Sequence, residues 1–464
     1  MNWQTECEKN WSHLIMDLSG LIEISSKRND EGKTSNAPFG KACRQALDYM
    51  MELGKREGFN VQDVDGYACV LSYGEGEESI GVLGHLDVVP EGDGWSKDPY
   101  RLTIENNVLY GRGVSDDKGP SIAGFYALKM IKDAQIKLKK KVMLIFGCDE
   151  ESGMECMDYY AQHGEIPDMG FVPDASFPVV YGEKGVLHMK LKNNHVDTII
   201  KEMHAGERPN IVIGEASAVI DASNGMKQEL FDFYLASNHL SGSMSKEGDL
   251  IHISIKGTPA HAAMPYLGNN AALHILNFIG TAYQDTFAKT LYEMCKDWQG
   301  KPLGIDIEGA YMGFLTMNIG IVDIDKQACI IVDIRYPNDT DSEKIKQSFE
   351  QYLKENQIPL DVEIDHNSKP LFVDPQSELV QTLMDVYRTC SGDAFTPAQT
   401  MGGGTYARKL PNFVAFGSEF PNQKTDDVVI GGPHQSDEGM RIDEFKKAVH
   451  IYCEAILRLA GQEY

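Results

Sequence analysis

The sequence predicts an α/β protein: a first domain with a mostly parallel sheet flanked by helices, and an α+β domain inserted into it. Three observations carry this reading. First, helical periodicity runs through residues 10–26 and 39–57, the second stretch ending near Gly54 or Gly58. Second, the short apolar runs Ser79–Gly84 and Lys141–Gly147 have the character of buried strands, and residues 119–134 between them read as a helix. Such alternation is what a parallel sheet with crossover helices requires. Third, the pattern changes near residue 183. Leu187–Lys192 and Leu250–Ile255 alternate apolar and polar residues, Ala328–Arg335 is a further strand, and helices fall at 269–283 and 341–354. Half-exposed strands of this kind point to a separate α+β unit. Helix–strand alternation returns from about residue 376. The expected boundaries are therefore 1–182 and 376–464 for the two parts of the first domain and 183–375 for the insert. Two βαβ-like passes in the insert suggest two similar subdomains, without a convincing sequence repeat.

Composition narrows the function classes. A chain of 464 residues is too long for one ordinary core. Its 42% hydrophobic and 24% charged content is normal for a folded protein in water. A net charge of −26 argues against nucleic acid or an anionic membrane surface as partner. No run approaches the roughly 18 apolar residues of a membrane span, and the N-terminal Met1–Glu6 lacks the pattern of a signal peptide. The nine cysteines are an odd number without a Cys-x-x-Cys pair, which fits a reducing compartment better than a disulfide framework. The expectation is a cytoplasmic protein.

Clusters of His and carboxylate follow the apolar runs: Gly84-His85-Leu86-Asp87, Ser115-Asp116-Asp117-Lys118-Gly119, Asp149-Glu150-Glu151-Ser152-Gly153 and Pro173-Asp174, with Pro433-His434-Gln435 far downstream. Two imidazoles and several acids suit two divalent cations, and zinc accepts both donor types. That set points to hydrolysis. In extended chain His85 and Asp87 project to the same side, so His85 can bind a metal while Asp87 orients its ring. Asp116 follows a Gly-bearing turn and reads equally as a helix N-cap. Glu150 and Glu151 are adjacent acids at a strand end, which repel unless a cation or a shared proton relieves them. Asp174 reads equally as an ordinary turn residue. Trp95 reads as a packing residue beside these clusters.

Gly84–Pro90, Gly111-Arg112-Gly113 with Ser115–Gly119, and Asp149–Gly153 resemble, in order, the signature blocks of the di-zinc aminoacylase/carboxypeptidase metallopeptidase family. The resemblance extends over nearly the whole chain and is strongest to the bacterial dipeptidase branch. It implies that His85 and Asp174 hold one zinc and Glu151 and His434 the other. Asp116 would bridge them, Glu150 would be the general base, and Asp87 would stand behind His85. It also implies a cis peptide at Asp116–Asp117.

The same resemblance covers substrate binding. His261, in Gly257–Pro265, matches a lid histidine that steadies the oxyanion. Arg335, in Asp333–Pro337, matches an arginine that binds the substrate's carboxylate. Gly403, Gly404 and Thr405, in Gly402–Arg408, match a loop at the substrate's C-terminal end, and Asn210 is a candidate lid asparagine. Backbone N–H groups and a guanidinium are good carboxylate binders. The reading is a metal-dependent dipeptidase with a small peptide substrate, two Zn2+ per chain (Mn2+ or Co2+ also fitting mixed His/carboxylate sites) and a monomeric working form. An N-acyl amino acid deacylase or carboxypeptidase of the same family is the alternative. A silent binding protein is more remote, because the ligands and the base are all present.

Overall fold

The computed structural model describes residues 1–193, 195–421 and 428–462. The chain divides into two compact units: Met1–Tyr181 with Val373–Gln399 and Gly404–Tyr464, and Gly182–Phe372 with Thr400–Gly403.

In the first unit, four strands form a parallel run in the order Lys141–Gly147, Ser79–His85, Met169–Val172 and Phe413–Ala415. Antiparallel strands Ala68–Tyr73 and Asn60–Val64 extend it beyond Lys141–Gly147. The parallel core expected from the alternation is thus present, with an antiparallel margin that the pattern did not announce. Ser79–His85 is buried along its whole length, as a central parallel strand must be. Helices Trp3–Ile22, Lys118–Asp133, Glu378–Ser391 and Ile442–Ala460 pack against one another, and Lys118–Asp133 and Ile442–Ala460 also meet the central strand Ser79–His85. Lys41–Arg56 packs on the two antiparallel strands.

The first helix starts at Trp3, seven residues before the periodicity suggested (10 to 3). The Asn2 side chain accepts the Thr5 N–H at 3.1 Å and caps it, and Trp3 and Cys7 extend the buried face formed by Leu14, Leu18 and Leu21. The helix ends at Ile22, four residues early. Beyond it, the Lys118 ammonium donates to the carbonyls of Leu21 and Ile24 at 3.1 and 2.6 Å, meeting the acceptors that a helix end leaves open.

The second unit holds one eight-stranded sheet, antiparallel throughout: Ser241–Glu247, Leu250–Lys256, Glu215–Asp221, Ile200–Ala205, Thr316–Ile324, Ala328–Tyr336, Gly185–Asn193 and Asp361–Ser368. Burial alternates along Gly185–Asn193 and Leu250–Lys256. The buried positions join Ala271–Ala282, Thr286–Cys295 and Ser342–Glu355 in one hydrophobic cluster. All eight strands share that sheet, so the two βαβ-like passes do not build separate sheets. Among the described residues, no helix is long and apolar enough to cross a membrane.

Candidate metal centre

Parallel strands place their carboxyl ends along one edge, where open α/β sheets carry their sites. His85 ends one such strand, Glu150 and Glu151 follow Gly147, and Asp174 follows Val172. Asp116 comes from the loop before the helix Lys118–Asp133, and His434 from a loop between Val428 and Gly439.

Two groups form within the first unit. The ligand atoms of His85, Asp116 and Asp174 lie within 4.8 Å of one another, as do those of Asp116, Glu151 and His434. Asp116 belongs to both. Its Oδ1 lies 2.9 Å from His85 Nε2 and its Oδ2 lies 3.1 Å from His434 Nε2. His434 Nε2 is also 3.0 Å from Glu151 Oε2, and His85 Nε2 is 3.7 Å from Asp174. The donor set is imidazole nitrogen and carboxylate oxygen in clusters of three around a shared acid, which fits a pair of borderline divalent ions. The Asp116–Asp117 peptide is cis, as the resemblance implied.

Close backbone approach makes this arrangement possible. A Cβ on Gly84 would stand 2.2 Å from Ser121 Oγ and 2.8 Å from Asp117 Oδ2, and one on Gly119 would stand 1.9 Å from the Val114 carbonyl oxygen. Asp117 is the N-cap residue of the helix Lys118–Asp133, yet its carboxylate makes no capping hydrogen bond to the helix backbone. It accepts the His85 N–H at 3.0 Å and the Ser121 hydroxyl at 3.0 Å.

Asp87 does more than orient a ring. His85 Nδ1 lies 3.0 Å from the Asp87 carbonyl and 3.4 Å from its carboxylate. The two carboxylate oxygens of Asp87 each accept a backbone N–H, from Glu150 and from Glu151, both at 3.1 Å. One buried acid therefore sets the histidine ring and the turn that carries both glutamates. On the far side of that turn, Asp149 is clasped by Arg28 at 2.7 Å and by the Glu155 N–H at 2.8 Å.

The cluster carries more negative than positive charge, and its proton affinities follow. Burial pushes the Glu150 and Asp174 carboxyls well above the usual range, with neighbouring acids adding to the effect despite His85. Glu151 moves up for the same first reason. For Asp116 burial acts upward too, but hydrogen bonds to His434 and His85 hold it below the ordinary value. Those same bonds raise His434, through Asp116 and Glu151, to about 10. His85 also ends well above the usual range: burial opposes its charge, and Asp116 and Asp87 outweigh burial. Bound cations would replace these protons. Among the described residues nothing hydrogen-bonds to the Glu150 carboxylate, whose charged neighbours are His85 and the acids Glu151, Asp116 and Asp87.

The second unit gathers most of the other residues singled out in the sequence. Asn210 O accepts the Ala262 N–H at 2.9 Å, and Ile211 bridges to His261, so Asn210 and His261 are neighbours. A Cβ on Gly402 would touch that of Ala263 at 2.9 Å, and the Gly402 carbonyl accepts from Arg335 Nη1 at 3.2 Å. Arg335 is 5% exposed, and Asp333 takes its Nε and Nη2 at 2.7 and 2.8 Å. Asp333 also lies 3.2 Å from His188 Nε2. Gly403 belongs to this unit; Gly404 and Thr405 belong to the first. The Arg408 guanidinium lies against Gly404, and buried Thr405 accepts the Ala407 N–H at 3.1 Å, capping the turn Tyr406–Lys409.

Sequence reasoning places Arg112 in a signature block without a role and passes over Glu438. Both are buried, and Arg112 Nη1 meets Glu438 Oε2 at 2.5 Å. The available signals were a lone arginine between two glycines and an acid four residues past His434. Trp95 packs with its ring 5.2 Å from the Arg112 guanidinium and donates to the Glu91 carbonyl at 2.7 Å.

The profile described as peptidase family M20/M25/M40 matches residues 81–458. A Staphylococcus epidermidis protein described as "Putative dipeptidase" is 35% identical over 478 residues, covering 99% of this chain and all of the relative. A Staphylococcus haemolyticus protein of like description is 35% identical over 474 residues, covering 98% and 99%. Among solved structures, the di-peptidase Dug1p of Saccharomyces cerevisiae superposes with a TM-score of 0.59 at 15% identity, covering 98% of this chain and 97% of that one. A Staphylococcus aureus tripeptidase gives 0.59 at 16%, covering 96% and 98%. These two likenesses show the fold. With the profile spanning most of its length and relatives matched almost end to end, the chain belongs to peptidase family M20/M25/M40.

Proposed function

We propose that this protein is a two-cation dipeptidase that hydrolyses the peptide bond of dipeptides with a free N-terminus. The observation that carries the reading is the Asp116 carboxylate, which offers one oxygen to each of two ligand groups. The staphylococcal relatives' description as dipeptidases supports the substrate class.

In this reading His85 and Asp174 hold one cation, Glu151 and His434 the other, and Asp116 both. Zinc fits the donors, and manganese or cobalt would also serve. Bound there, the pair supplies Lewis acidity toward a carbonyl and lowers the pKa of water. Glu150, with its raised proton affinity and unengaged carboxylate, takes a proton from water and returns it to the leaving amine. Asp87 keeps Glu150 and Glu151 in register through their N–H groups. His261 donates to the oxyanion, and Arg335, Gly403, Gly404, Thr405 and Asn210 receive the substrate's carboxylate and flank. Residues 183–375 act as a lid domain between 1–182 and 376–464, in a monomeric, cytoplasmic enzyme.

Two measurements test this. Metal-stripped protein supplied with zinc, manganese or cobalt should cleave free dipeptides in preference to N-blocked dipeptides and N-acyl amino acids. Cleavage of the blocked substrates alone would move the protein to the deacylases. Glu150→Gln should lower kcat by about 10²–10⁴-fold while two cations stay bound, and near-normal turnover would remove Glu150 from the role of base.

A further inference from the structure

The loop that carries His434 is tied to the loop that carries Asp116 by a side chain outside the ligand set. Glu438 is fully buried. Its Oε1 accepts the backbone N–H groups of Gly113 and Ser115 at 3.0 Å and of Asp116 at 3.2 Å, together with the Ser115 hydroxyl at 3.0 Å. Its Oε2 meets Arg112, and its own carbonyl accepts the Gly111 N–H at 3.0 Å. Arg112 donates in turn to the Pro90 and Glu91 carbonyls at 3.4 and 3.2 Å. Backbone N–H groups converging on one point form a nest that binds an anion, and here the anion is part of the chain.

The other end of Glu438 is the His434 loop. Gly431 N–H donates to the Asp437 carbonyl at 2.9 Å and Gly439 N–H to the Gly431 carbonyl at 3.1 Å, which closes the loop at its base. Within it His434 has φ +65°, and its side chain is more than half exposed. Asp437 Oδ1 accepts the Ser96 N–H at 2.9 Å, a second tie at the same end. By contrast, His85 ends a central strand and Asp174 follows its neighbour, so the sheet itself holds them.

We propose that Glu438 is a positioning residue that fixes the spacing between Asp116 and His434. It thereby governs binding of the cation held by Asp116, Glu151 and His434, and leaves the His85–Asp116–Asp174 cation largely untouched. The inference rests on the two-cation reading above. Residues that orient metal ligands typically change affinity by about 10–100-fold when replaced. Glu438→Gln keeps the shape but turns an amide toward Arg112 or toward the N–H nest, so one set of bonds must fail.

The test is equilibrium dialysis and calorimetric titration of zinc, and separately of cobalt, into metal-stripped wild type, Glu438→Gln and Glu438→Asp, with thermal unfolding of each. Wild type should bind two cations. Glu438→Gln should bind the first as wild type does and the second about 10–100-fold more weakly, with Glu438→Asp between them. Equal weakening of both cations, or unchanged affinities with only a lower Tm, would overturn the positioning role. Wild type binding fewer than two cations would overturn the two-cation reading, and this inference with it. Should Glu438→Gln not unfold cooperatively, Arg112→Lys replaces it. That variant keeps the charge, loses the planar fork, and should show the same selective loss; unselective loss there overturns the proposal.

Discussion

The polar cluster of the first unit and that of the second differ in charge balance. Around His85 and His434 the first unit packs Asp87, Asp116, Asp117, Glu150, Glu151 and Asp174. In the second, Arg335 meets Asp333 through two hydrogen bonds, with His188 on the same carboxylate. Two like charges 4 Å apart cost about 4 kcal/mol at an effective dielectric near 20. The first cluster therefore asks for cations, whereas the second is nearly complete in itself. A surplus of buried acid marks a place to be filled. A matched pair marks a charge already answered, and the Gly402 carbonyl takes the Arg335 Nη1 that Asp333 leaves over.

The largest expected effect comes from metal. Zinc at about a thousand times its Kd should stabilise the stripped protein by about 4 kcal/mol. In hydrogen exchange, the added protection should fall on the strand ends near His85, Gly147 and Val172 and spare the eight-stranded sheet. Equal protection of both units would break the contrast. Next comes Asp333→Asn, which leaves Arg335 buried without its partner and should cost about 3 kcal/mol in denaturant unfolding at neutral pH. Burial acts to raise the Asp333 pKa, but His188 and Arg335 prevail and hold it below the ordinary value. Its stabilisation is therefore fully present above the unfolded carboxylate pKa of about 3.9. It is lost as pH falls through the lower folded value. The gap between wild type and variant should stay constant down to about pH 4 and close below it; a gap that widens in acid would contradict the pairing. The smallest effect is on binding. Arg335→Met should raise KM for a dipeptide about thirtyfold, a loss of about 2 kcal/mol, with kcat within a few-fold of wild type. A fall in kcat at constant KM would place Arg335 in the chemical step instead.

Strand ends were the most readable part of this chain. The apolar run Ser79–Gly84 stops at His85 and Lys141–Gly147 stops three residues before Glu150, and burial forces that ordering into the residue pattern. Periodicity misplaces both ends of helix Trp3–Ile22, because its start rests on the single capping side chain of Asn2 and its close on a lysine 97 residues away from Leu21. Arg112 and Glu438 stand 326 residues apart and join two loops, so neither strand nor helix periodicity records them. Asp117 stands out in the sequence only as part of a motif. Its hold on the His85 N–H depends on Gly84 lacking a Cβ, a relation between two segments that no local window contains.

The parentage of the shared ligand group has a consequence in time. Asp116, Glu151 and His434 come from widely separated stretches, and the parallel strand Phe413–Ala415 is added to the sheet from the far side of the second unit's sequence. During synthesis, which proceeds from the N-terminus, neither Glu438 nor His434 exists while most of the first unit is already made. The newborn chain therefore carries its acids without their last imidazole until the ribosome has passed residue 434. A ligand group assembled in this order stays incomplete until nearly the whole of the chain has been made.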